Sequence, residues 1–431
     1  MKFAKLVAGV CLLLVAQFSQ AGVTIEHWRA PSGARVFFVE SHALPIVDLR
    51  LDFAAGNAHD PAGKAGLAAL TRDLLELGAG KLDETEIASR LADLGARLGG
   101  GSDLDRASVS LRTLSAPDKQ KPALAILREV VSAPRFAAAV FEREQARSIA
   151  ALKEALTRPE TIAARAFWSG MYPTHPYGVQ ATPQSLAALG RDDLAAFHAS
   201  HYTAAAATLT LVGDLSRPEA EAIAAELTAG LPAGKAVPAV PEVPAAQAAV
   251  EQRIAHPAAQ AHLMLGLPAV RRGDPDFFPL LVGNYTLGGG GFVSRLMKEV
   301  RDRRGYAYSV YSYFLPLKQP GPFTIGLQTK KTQAADALEV ARATLATFLA
   351  EGPTAEELEA AKQNLVGSFP LRLDSNAKIL DNVATIGFYE LPLDYLDRYS
   401  ENVERVSAAD VRAAFARHVR PQALTTVVVG E

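Results

Sequence analysis

The sequence predicts an α+β protein made of two homologous domains, and three observations carry that expectation. Landmarks recur along the chain at a nearly constant offset, a proline- and alanine-rich stretch divides it near the middle, and strand-like and helix-like periods alternate on both sides.

The offset appears first in an alternating strand, Ile46 to Phe53, followed by Asp60-Pro61; Ala261 to Leu267 is followed by Asp274-Pro275, and 274 − 60 = 214. It appears again near the ends of the halves. Ala195-Ala196-Phe197 precedes Thr208 to Gly213, and Ala413-Ala414-Phe415 precedes Thr425 to Gly430, with 413 − 195 = 218 and 425 − 208 = 217. The divider is Leu231 to Ala249, whose composition suits an extended linker. The expected layout is a first domain over 22–230, a linker over 231–249 and a second domain over 250–431.

Local signals fill in this frame. Ile87, Leu91, Leu94 and Leu98 share one helical face, with Gly99-Gly100-Gly101 expected to end the helix. Ala107 to Leu114 alternates as a strand. Thr354 and Glu357 form a capping box that opens a helix running through Leu358 and Leu365.

Composition removes several function classes. Of 431 residues, 49% are hydrophobic, enough for a large core. Lys plus Arg (44) nearly balances Asp plus Glu (46) with no basic cluster, so nucleic acid is excluded as a partner. Residues 1–21 read as a signal peptide: two lysines, the apolar run Leu6 to Val15, and a small-residue cleavage site ending at Ala21. The run is too short to span a bilayer. The expected location is therefore the periplasm, with no membrane span in the mature protein. The only cysteine, Cys11, lies in this segment behind Val10, which argues against a lipid anchor and leaves the mature chain without a thiol.

The block from Asp274 to Phe314, DPDFFPLLVGNYTLGGGGFVSRLMKEVRDRRGYAYSVYSYF, closely resembles the C-terminal domain of pitrilysin (insulinase-like, inverzincin) zinc peptidases. HPYG at His175 to Gly178 and the stretch Gly367 to Asp397 resemble the same family. The resemblance implies two similar domains, each a largely antiparallel sheet with packed helices, closing like a clamshell on an unfolded peptide, with the linker as hinge. It also implies a His-x-x-Glu-His helix and a distant glutamate in active members, since histidines four apart share one helical face and the glutamate activates zinc-bound water.

Those side chains are missing. Aligned on Gly66, the histidine positions are Ala69 and Asp73, the general-base position is Arg72, and the distant ligand falls at Ala150. A lone carboxylate beside an arginine makes no zinc site; Arg72 and Asp73 read as an exposed helix charge pair. His198 and His201, three apart, are the other metal candidates, but no carboxylate base follows them. The expectation is no cofactor in this chain.

The second-domain element is kept. The resemblance places a substrate-holding arginine at Arg301 and an oxyanion-stabilising tyrosine at Tyr308. Taken alone, these are one of three neighbouring arginines and one of several strand aromatics. Gly288, Gly289, Gly290 and Gly291 form a flexible turn or let the backbone approach a bound peptide. The expected function is the non-catalytic subunit of an exported heterodimeric zinc metallopeptidase. A zinc-bearing paralogue supplies the His-x-x-Glu-His motif and this chain supplies Arg301 and Tyr308. The alternative is a peptide-binding or assembly scaffold with no enzymatic output.

Overall fold

The structure is a computed structural model that describes residues 23–431 except 235–236 and 246–247. The expected signal peptide, its cleavage site and Cys11 lie outside the described residues. No helix among those described is long and apolar enough to cross a membrane.

Strands β1 (Glu26–Arg29), β2 (Arg35–Glu40), β3 (Ile46–Phe53), β4 (Arg97–Ser102), β5 (Ala107–Leu114) and β6 (Ala207–Gly213) form one sheet in the order β1-β2-β6-β3-β5-β4. Strands β7 (Val250–Ile254), β8 (Gln260–Val270), β9 (Ala307–Phe314), β10 (Gly321–Lys330) and β11 (Thr425–Val429) form the other, in the order β7-β11-β8-β10-β9. Without β1, the two orders are the same: the first strand of each half lies parallel to the last, and the remaining pairs are antiparallel. The fold is thus two homologous α+β domains, and the sequence offset is a repeat of topology.

The helices that matter for the sites are α1 (Leu67–Leu74), α2 (Glu84–Leu94), α3 (Ala138–Ala155), α4 (Pro159–Met171) and α5 (Arg191–His201) in the first half. In the second they are α6 (Phe277–Asn284), α7 (Ala334–Glu351), α8 (Ala355–Ser368), α9 (Asn376–Tyr389) and α10 (Ala408–His418). Each sheet alternates, as period-2 strands must. Val47, Leu49, Leu51 and Phe53 face one helical layer, whereas Asp48, Arg50 and Asp52 face the opposite side. The capping box predicted at Thr354 and Glu357 opens α8 as expected.

One local expectation is corrected. Helix α2 stops at Leu94 because Gly95 turns left-handed (φ 66°), and Gly99 to Gly101 belong to strand β4. Leu98 reaches the core from that strand. A Cβ on Gly100 would sit 2.1 Å from the Ser108 carbonyl oxygen, so close strand pairing requires the glycine there.

The halves exchange a helix. From the first half, α4 lies across β8 and β11; from the second, α9 lies across β2, β3 and β6. The contact points are repeat-related glycines, Gly170 and Gly387, with 387 − 170 = 217. A Cβ on Gly387 would meet the Phe37 ring at 2.7 Å, and one on Gly170 would meet the Thr425 methyl at 3.0 Å. Phe37, Val39, Val212, Leu380, Val383 and Ile386 form the resulting cross-half core.

The HPYG segment tightens this junction. Buried Asp105, on the β4–β5 turn, accepts the Tyr177 hydroxyl (2.5 Å), the Tyr389 hydroxyl (2.9 Å) and the Lys318 backbone N–H (2.8 Å). The His175 ring shares a hydrogen bond with the Pro241 carbonyl, and neighbouring Val240 is buried. The middle of the 231–249 stretch is therefore docked against both halves.

Candidate functional site

Helix α1 carries the degenerate motif, and its first turn is anchored by Asp60, whose carboxylate accepts the Gly66 and Ala68 N–H groups (both 2.7 Å). Burial pushes that carboxyl up to about 6, and burial pushes the adjacent His59 imidazole down to about 4. Along α1, Ala69 is half-buried and Asp73 exposed. Ala150 is exposed on α3, which packs against α1.

Arg72 is the correction here. It is only 5% exposed and pairs with Glu76 (2.7 Å), so the expected surface pair with Asp73 does not form. Its Nε donates to the Ser108 carbonyl (2.5 Å) and Nη2 to the Gly99 carbonyl (2.7 Å). The guanidinium thus pins α1 to one carbonyl on each of strands β5 and β4. An arginine stays charged and offers only donors, so it can neither activate water nor sit beside a cation.

The other metal candidates do not converge. His198 is buried, with Nε2 against the Val131 carbonyl (2.9 Å), while His201 stacks on Phe197 at 4.0 Å between centroids. Sequence reading missed a further cluster, Asp274, Asp276 and His418, which is the one metal-compatible group among the described residues. Arg417 already holds both Asp276 oxygens (2.7 and 2.6 Å), and His418 contacts the same carboxylate at 2.9 Å. Arg417 draws the Asp276 carboxyl below its usual range. The arrangement is a charge-satisfied anchor for α6.

The second half-site lies on two π-helical segments and strand β9. Tyr285–Gly289 carries the start of the glycine run and Met297–Asp302 carries Arg301; such turns recur at functional sites. A Cβ on Gly288 would lie 2.4 Å from the Ser312 hydroxyl, on Gly289 2.5 Å from Asn284 Nδ2, and on Gly290 2.6 Å from the Tyr285 carbonyl. These three glycines are needed for the chain's own packing. Gly291 faces open space at φ 61° and presents Phe292.

Tyr308 is 83% exposed and Phe292 68% exposed. The Arg301 guanidinium lies 4.8 Å from the Phe292 centroid and 5.6 Å from that of Tyr308. The other two arginines of the run differ: Arg303 and Arg304 both fold onto Glu299 (2.6 and 2.7 Å). Arg301 has only a 3.3 Å contact with the adjacent Asp302. Arg301 is therefore the cation of the run least committed to a carboxylate, a distinction invisible in the sequence.

Beneath these side chains two main-chain groups on the edge of β9 are taken. The Val310 N–H points at the Met297 sulfur (3.5 Å), and the Ser312 carbonyl accepts Asn284 Nδ2 (3.0 Å). Arg72 meets Glu76, Ser108 and Gly99, all in the first half; Arg301 meets Asp302, Phe292 and Tyr308, all in the second. The two half-sites are built separately.

With this geometry in view, residues 35–181 match the family described as Insulinase (Peptidase family M16), and residues 188–365 match Peptidase M16 inactive domain. A crystal structure of a peptidase M16 inactive domain from Pseudomonas fluorescens is 38% identical, covers 95% of this chain and 98% of its own, and superposes with a TM-score of 0.91. The chain belongs to the M16 peptidase family. It is similar to a Helicobacter pylori protein named non-peptidase homolog YmxG, 25% identical over 91% of each chain. The periplasmic protease PqqL of Escherichia coli shares the fold, with a TM-score of 0.80 at 16% identity; the match covers 95% of this chain and 46% of that one. The match to the model described as the family's inactive domain thus takes in most of the second half, and the match to the insulinase model lies within the first.

Proposed function

We propose that this chain is the non-catalytic subunit of a heterodimeric M16 metallopeptidase, giving Arg301 and Tyr308 to a zinc site held by a His-x-x-Glu-His paralogue. The observation that carries this reading is the contrast between the half-sites. The motif helix is built around a buried arginine, while Tyr308 is exposed and half-buried Arg301 meets only Asp302, Phe292 and Tyr308 among the side chains described. A phenol donates to an oxyanion on the scissile carbonyl, and a guanidinium edge fixes a neighbouring peptide carbonyl. Zinc, held by the partner, would supply the activated water.

The substrate is an unfolded peptide, contacted here through the side chains of Arg301 and Tyr308, since the Val310 N–H and the Ser312 carbonyl on the β9 edge are already taken. Export to the periplasm is part of the reading; it rests on the sequence of residues 1–21, and the fold shared with a periplasmic protease agrees with it.

The test is reconstitution. Mixed with a zinc-bearing homologue from the same cell, the chain is expected to give peptide hydrolysis that neither protein shows alone. Arg301→Ala and Tyr308→Phe should each lower kcat/KM about a hundredfold. Full activity in both variants would remove the proposed role and leave a peptide-binding scaffold as the reading.

A further inference from the structure

The site described above uses Arg301 and Tyr308 but leaves Phe292 unexplained. A phenylalanine 68% exposed on a three-residue turn is held there by specific packing. Gly288 to Gly290 fix the preceding backbone against Ser312, Asn284 and Tyr285, and the Ser294 hydroxyl staples the turn by donating to the Gly291 carbonyl (2.7 Å). The ring is therefore positioned before any ligand arrives, with the Arg301 guanidinium carbon over it at 4.8 Å from its centroid, while Tyr308 lies close by on β9.

We propose that Phe292 is a positioning residue for Arg301. A guanidinium held over a ring keeps its charge engaged through the cation–π contact while its N–H donors can still turn to a planar acceptor such as a peptide carbonyl or a carboxylate; here one of them makes only the 3.3 Å contact with Asp302. Arg303 and Arg304 show the alternative: without a ring, each turns its donors onto Glu299. Phe292 keeps Arg301 from that fate by stabilising one side-chain orientation beside Tyr308. The ligand class that follows is an extended peptide whose carbonyl meets the edge of Arg301. This inference rests on the proposed function for its ligand, and on the geometry alone for the ordering of Arg301.

The experiment has two arms on the full chain. In the first, side-chain NMR of the Arg301 Nε–H is compared in wild type, Phe292→Ala, Phe292→Leu and Phe292→Tyr. The ring-shifted signal should persist in Phe292→Tyr and move to the position of a free arginine in the alanine and leucine variants. An unchanged signal in Phe292→Ala overturns the proposal.

In the second, fluorescence anisotropy measures binding of labelled, reduced and carboxymethylated lactalbumin, a permanently unfolded chain. Phe292→Ala should weaken binding about two- to fivefold, with rescue by Phe292→Tyr and not by Phe292→Leu. It should have no further effect in an Arg301→Ala background. Rescue by leucine, or additive losses in the double variant, contradicts a role exercised through Arg301. If the wild-type chain does not hold the probe, the peptide-binding reading fails by itself and the NMR arm decides the positioning of Arg301.

Discussion

Arg72 and Arg301 both stand at positions proposed to correspond to parts of a family active centre, and their surroundings are opposite. Arg72 is buried, with its donors spent on Glu76 and on the carbonyls of Ser108 and Gly99. Arg301 is half-buried beside two exposed rings, and its single ion-pair contact is the 3.3 Å one with Asp302. The same side chain is a structural pin in one half and a presented binding group in the other. Loss of function by drift would erode both halves alike. Here the first carries a buried stabilising network, while the second presents Arg301 beside exposed Tyr308 and Phe292 with only the Asp302 contact as an ion pair.

That contrast can be broken by substitution. Arg72→Ala should cost about 3 kcal/mol of unfolding free energy in urea titration, because two carbonyls lose a charged donor. Arg303→Ala, at an exposed pair with Glu299, should change stability by less than about 1 kcal/mol. Equal, small losses at both sites would erase the distinction between pin and surface charge.

The glycine run offers a smaller effect. Gly288→Ala should destabilise by about 2 kcal/mol, since its Cβ would fall against Ser312. Gly291→Ala meets no neighbour and should cost about 1 kcal/mol, the strain of a left-handed backbone. A reversed order would mean that Gly288 is not packed as described.

The smallest expected effects are in pH dependence beneath α1. His59, lowered to about 4, is neutral in the folded chain while an unfolded histidine protonates near about 6.5; its contribution is present above about 6.5 and lost as pH falls towards 4. Asp60, raised to about 6, works the other way: its contribution is full below about 3.9 and lost as pH rises through 6. Thermal unfolding of His59→Asn should therefore lose less stability on acidification from pH 6.5 to 4 than wild type, and Asp60→Asn should lose more. Each difference is on the order of 1 kcal/mol, moderated by solvent access to both side chains. At the cluster that anchors α6, Asp276 is lowered by Arg417, so its contribution persists down to acid pH and fades as pH falls through its folded value.

Much of the fold was readable because it depends on period and repetition. The strands Ile46–Phe53 and Ala107–Leu114, the capping box at Thr354 and the 217-residue offset are local or self-similar signals. Helix exchange was harder to read, because a glycine at a helix crossing leaves no periodic trace. Only the shared offset of Gly170-Met171-Tyr172 and Gly387-Phe388-Tyr389 hinted at it. At the sites, residue types were legible and their roles were not. An arginine next to an aspartate reads as a surface pair, and only the structure shows Arg72 buried. Three arginines in a row look interchangeable until Glu299 takes two of them.

The most direct measurement is zinc content alongside peptide hydrolysis for the purified chain, for a His-x-x-Glu-His homologue and for their complex. The account predicts no bound zinc and no activity for the chain alone, one zinc per heterodimer, and hydrolysis in the complex that falls when Tyr308 is changed to phenylalanine. Stoichiometric zinc with hydrolysis by the chain alone would contradict it.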